Sequence, residues 1–200
     1  MSNASSAVHQ EPVRRYSNVA VALHWITAAA VLFQIWLGLS MGEPPQGGAF
    51  NWHKTIGALI LLLALARLTY RLINPPPPFP DDLAPWERIA AVWNHRLFYL
   101  LLIGLPIGGY LAVSAFSGGK PTMLAGGIML PTVPGIPKEW GEIFEEVHGA
   151  GAWALIVLLV LHVGAAIKHR FVSPRPSSGR MPPLGLPGEQ TVVGQGGAAR

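Results

Sequence analysis

The sequence predicts an all-α protein, a four-helix transmembrane bundle with both termini cytoplasmic, and three observations carry that prediction. Of 200 residues, 50% are hydrophobic and only 12% charged, with a mean hydropathy of +0.38, about half the charge of an ordinary soluble domain. Four apolar runs of bilayer-crossing length are separated by proline- and glycine-rich segments. The basic residues are also unevenly distributed. With the N-terminus, the second inter-helix linker and the C-terminus on one side, that side and the helix ends facing it hold eleven of the fourteen lysines and arginines, leaving Lys54, Lys120 and Lys138 opposite. Positive charge marks the cytoplasmic face.

Composition excludes several chemistries. There is no cysteine, which rules out thiolate-held iron-sulfur clusters, covalently attached c-type haem and disulfides. The net charge of +4 and pI near 9.8 read as orientation charge, not as a nucleic-acid surface, because no soluble basic domain accompanies them.

Residues 1 to 15 are polar and aperiodic and read as a flexible tail. Arg14 and Arg15 precede an apolar run that is too long for a signal-peptide core and lacks a following small-residue cleavage site, so it reads as a retained helix over about 18 to 41. It carries His24 about two turns in and Gln34 as an interhelical hydrogen-bonding residue, and it stops at GEPPQGG. A second helix over about 52 to 72 opens with His53 and holds Arg67 and Arg71 near its end; a proline run from 75 to 78 stops it. His53 and Arg67 are fourteen residues apart and therefore share a face. A cation as deep as Arg67 either needs an anion, for which a haem propionate suits the position, or snorkels to the surface. The segment from 74 to 90 reads as a stiff linker turning amphipathic at an interface. A third helix over about 92 to 116 has His95 in its first turn and Pro106 among Gly104, Gly108 and Gly109, where a neighbour or cofactor approaches closely. Residues 117 to 144 read as a glycine- and proline-rich loop with a short surface helix at 140 to 146. The fourth helix covers about 148 to 170, and 173 to 200 read as a disordered tail.

The fourth helix organises the rest. His148 and His162 lie fourteen residues apart in a run that is otherwise almost wholly apolar. On an α-helix that spacing puts both imidazoles on one face, about 21 Å apart along the axis. Imidazole in hydrocarbon is costly unless its nitrogens are occupied, and it is the commonest metal ligand. Two such residues on one stripe suggest two stacked haems. Depth supplies the partners: His24 and His162 match near the cytoplasmic surface, and His53 and His148 match near the opposite one. Gly57, Gly149, Gly151 and Gly164 beside these histidines would let a flat ring approach the backbone. His95 is a candidate for a propionate contact, a quinone contact or an alternative partner to His162. His9 and His169 read as solvated.

The elements RYSNVAVALHW, NWHKTIG, ARLTYRLINPPPP, HRLFYLLLIGLPIGG, EVHGAGAW and LHVGAAIKH together resemble the prokaryotic cytochrome b561 family over about residues 14 to 172. The resemblance implies two b-type haems held by His24, His53, His148 and His162. It also implies electron transfer in the bacterial inner membrane between a periplasmic reactant and the quinone pool. One activity it implies is oxidation of superoxide with ubiquinone as acceptor, making the protein an oxidoreductase of respiratory electron transport. The other is service as a membrane-anchor cytochrome for a separate dehydrogenase or other periplasmic redox protein. The outer side carries Lys54, Lys120 and Lys138 against Glu43, Glu139, Glu142, Glu145 and Glu146, three minus five, net −2. That is a poor global attractor for an anion, although Lys120 and Lys138 can still form a local basic funnel. A four-helix transporter without cofactor is the third class; the chain has no inverted repeat to support it.

Overall fold

The computed structural model describes residues 16 to 42, 44 to 79, 83 to 172 and 181. The tails expected over 1 to 15 and 173 to 200 therefore lie outside the described residues, Met181 apart. Four helices account for nearly all of the rest: α1 Asn18–Ser40, α2 Gly47–Ile73, α3 Pro85–Phe116 and α4 Lys138–Ile167, the last continued by a π-helical turn over Lys168–Val172. All four are long and apolar enough to cross a membrane.

Three of the helices start well before their sequence patterns suggest. α2 begins at Gly47, where Gly47 has φ of 74°; the poor helix propensity of the GGAFN stretch conceals that turn. α3 begins at Pro85, so the amphipathic end of the expected linker is the first part of this helix. Proline at the first helical position is pre-organised for it, and the Glu87 carboxylate accepts the Ala84 N–H at 3.1 Å. α4 begins at Lys138, and the expected short surface helix is its first turns, with Glu139 favourably placed against the helix dipole. The start of α1 is capped by Ser17, whose hydroxyl accepts the Ala20 N–H and also hydrogen-bonds Tyr70 near the end of α2 at 2.8 Å.

The core is thin, as expected of helices that turn most of their surface to lipid. Val31 of α1, Ile60 and Ala64 of α2, Leu102 of α3 and Leu155 of α4 form one buried cluster. The packing order matters more than the core. α1 lies along α2, α2 along α3 and α3 along α4, while α4 meets α1 and α2 only sparsely. The α3–α4 contact is close because glycines face it. A Cβ on Gly141 would lie 2.8 Å from Ala115 Cβ, and one on Gly151 would lie 2.7 Å from Leu105 Cδ2.

The segment between α3 and α4, where the sequence predicts a loop, contains a small antiparallel hairpin, Thr122–Met123 against Met129–Leu130. It is fastened to the bundle from both sides. Lys54 Nζ donates to Thr122 Oγ1 at 2.6 Å, the Ala125 N–H donates to Thr55 Oγ1 at 2.9 Å, and the Tyr110 hydroxyl donates to the Pro131 carbonyl at 2.9 Å. The hairpin therefore rests on the start of α2, next to His53.

Candidate metal centres

Four histidines from three helices meet in two pairs. His24 of α1 faces His162 of α4 with ring centroids 6.3 Å apart, and His53 of α2 faces His148 of α4 at 6.0 Å. Both pairs bridge from α4 to the helices it packs against least. Two imidazoles on opposite sides of one metal, each bonded at about 2 Å, have centroids roughly 6 Å apart. The pairs have that separation. Among the described residues no group of three or more His, Cys, Asp or Glu is placed to hold a bare ion. Two axial imidazoles suit an iron whose other four positions a porphyrin fills. The Nδ1 atoms of His24 and His53 are buried without a hydrogen-bond partner, a polar deficit of the kind that marks a functional position. On these grounds the residues fit a b-type haem at each pair.

α3, which contributes to neither pair, holds both α4 histidines in place. His148 Nδ1 is 2.9 Å from the Leu105 carbonyl. A carbonyl only accepts, so Nδ1 carries the proton and donates, leaving Nε2 free to ligate. Gly109 makes room for that ring, since a Cβ there would stand 3.1 Å from His148 Cε1 and Nδ1. The expectation of a close neighbour around Pro106 is met here, by a histidine. At the other end the Asn94 side-chain amide lies 3.0 Å from His162 Nδ1, and Phe98 meets the same ring edge-on at 5.3 Å. The sequence reading missed Asn94; its only signal was a polar residue one position before His95.

His95 is also 6.3 Å from His162, centroid to centroid, and its Nδ1 donates to the Ala91 carbonyl at 2.6 Å. Distance alone does not separate it from His24. Packing distinguishes the two seams: α3 and α4 are in close contact through Asn94, Leu105, Gly141 and Gly151. The α1–α4 seam is loose. Gln34 is the interhelical residue expected of it, its amide donating to the His53 carbonyl at 3.0 Å. Of the glycines read as ring cradles, Gly151 packs against α3 and Gly57 against the Gln34 amide, while Gly149 and Gly164 face open space. His169 is half-buried, with its Nδ1 lacking a partner among the described residues.

Arg67 and Arg71 line one cavity with Tyr16, Tyr70, Asn74 and Tyr99. Among the described residues neither arginine has a carboxylate partner, so these residues gather positive charge beside the His24 end of the bundle. Positive charge grouped in this way is suited to an anion.

An apolar four-helix bundle that crosses the membrane and sets imidazole pairs at haem spacing defines a membrane cytochrome. The match to known proteins agrees. The family model described as prokaryotic cytochrome b561 covers residues 15–183, and the chain belongs to that family. Cytochrome b561 homolog 2 of Escherichia coli is 33% identical over 163 residues, 79% of this chain and 86% of that protein. A probable superoxide oxidase of Yersinia pestis is 26% identical over 80% of this chain and 90% of its own length, and cytochrome b562 of Cereibacter sphaeroides is 26% identical over 82% and 90%.

Proposed function

We propose that the chain carries electrons across the bacterial inner membrane, between superoxide on the periplasmic side and ubiquinone, with both termini cytoplasmic. The observation that carries this reading is the placement of the two histidine pairs, one towards each end of the bundle, both across the loose seam of α4. Bound b-type haem, one at each pair, supplies the one-electron chemistry. His24 with His162 and His53 with His148 would hold the two groups. Arg67 and Arg71 bind the propionates of the inner group, and His95 adds a polar contact there for propionate or quinone. At the outer end Lys54 is the basic group nearest His53. Its ammonium stands 4.5 Å from the Phe50 ring centre and donates to Thr122, so it brings fixed positive charge to a side whose net charge is −2.

A second reading has its own observation. The hairpin resting beside His53 exposes Met123, Ile128 and Met129, an apolar surface on which a periplasmic redox protein could dock. The chain is then a conduit or membrane anchor for that partner. Purified protein separates the two. Two b haems per chain by pyridine haemochrome, reduced rapidly by superoxide with no other protein present, is the result expected of the oxidase. Two haems that superoxide leaves oxidised identify the conduit, and a ratio near one breaks one of the pairs.

A further inference from the structure

We propose that Asn94 is a positioning residue for the inner haem, the hydrogen-bond acceptor that fixes the tautomer and donor strength of His162. The proposal rests on the haem reading above. The four paired histidines are not supported alike. His148 has its Nδ1 proton committed to a main-chain carbonyl on α3, whereas His24 and His53 have no Nδ1 partner among the described residues. His162 meets a side chain, and its partner can therefore be exchanged by mutation. The contact is a single one, 3.0 Å from His162 Nδ1 to the Asn94 amide, between two helices packed directly together.

Chemistry decides which end of the amide serves. An iron bound at Nε2 requires the proton on Nδ1, so Nδ1 donates and its partner must accept. In this structure the amide nitrogen faces the ring. Rotation of the amide by a half-turn presents Oδ1 at the same place, the two ends being nearly equal in size. The residue is thus suited to both conditions of the site: it donates to a ring without iron and accepts from a ring that holds one. A carbonyl, as at His148, can only accept. Accepting the Nδ1 proton makes the imidazole a stronger donor and favours ferric over ferrous iron.

The test uses the purified full chain with its haems, and two variants that act in opposite directions. Asn94→Asp puts a charged acceptor on Nδ1–H and should lower the inner midpoint potential by at least a tenfold change in the reduced-to-oxidised ratio, about 59 mV for one electron. Asn94→Leu removes the acceptor and should raise the same potential and weaken inner-haem retention about 10–100-fold. The outer haem should keep its potential in both. The low-spin g-values of the inner haem should spread in opposite senses. Shifts of the same sign, or none, overturn the proposal, because a purely structural role does not invert with acceptor strength. Should Asn94→Leu fail to assemble, Asn94→Asp decides alone, an unchanged inner potential overturning the proposal. Failure of the haem reading itself looks different: His162→Ala would leave the inner haem six-coordinate.

Discussion

An imidazole in a membrane is costly unless its nitrogens are used, and the four paired rings meet that cost unequally: His148 and His162 have Nδ1 partners on α3, whereas His24 and His53 have none among the described residues. His148 is the most constrained: its Nδ1 proton is donated to the Leu105 carbonyl, and Gly109 lies against its edge. Gly109→Ala should displace the ring by a few tenths of an ångström, lower retention of the outer haem about 10–100-fold and spare the inner one; haem content and spin state measure this. Arg67 is the other residue whose surroundings make a clear demand. If it meets a propionate, Arg67→Leu removes a cation that favours the reduced state. The inner potential should then fall by on the order of 60 mV, a tenfold change for one electron. Unchanged potentials at both haems would leave the arginine a lipid-facing residue reaching for the surface. These residues were readable in different degrees. The histidines and Arg67 stand out as polar groups in apolar runs. Asn94 and the Leu105 carbonyl do not, because their importance lies in which helix packs on which.

Each helix has one task in the proposed arrangement. α1 and α2 each present one histidine, α4 presents two, and α3 presents none but orients both of those on α4. Substitutions should therefore sort by pair and not by helix. His53→Ala and His148→Ala should disturb the outer haem, and His24→Ala and His162→Ala the inner one, read as loss of haem or conversion to a five-coordinate high-spin spectrum. His95→Ala should leave both haems low-spin. Loss of the inner haem in that variant, with His24→Ala spectrally intact, would move the ligand from α1 to α3. Helix existence and order were clear from hydropathy, whereas helix starts were not. α2, α3 and α4 all extend past the apolar run into glycine, proline or acidic residues, where capping and N1 proline decide the boundary and hydropathy is silent.

For the molecule as a whole, the bundle is a chain of neighbours that closes poorly between its ends. Its shared core is one small cluster, and α4 is joined to the rest chiefly through α3. Ligands on both sides of the α4 seam should then act as fasteners. A ligand held at about a thousand times its dissociation constant adds about 4 kcal/mol to the folded state, so haem-depleted protein should melt roughly 10 °C lower than the loaded form. A calorimetric scan in detergent checks this, and equal melting temperatures would mean the seam is held by something else.

The position of α4 in the chain has a consequence for how the protein is made. Both histidine pairs depend on the last of the four helices to leave the ribosome, and neither pair can exist while only α1, α2 and α3 have entered the membrane. In the proposed arrangement cofactor loading would be deferred until the histidines of α4, Lys138–Ile167, have been made. A nascent chain arrested before Lys138 should sit in the bilayer colourless. Partly built molecules would then hold no redox-active iron, and the order of synthesis itself guards against premature electron leakage.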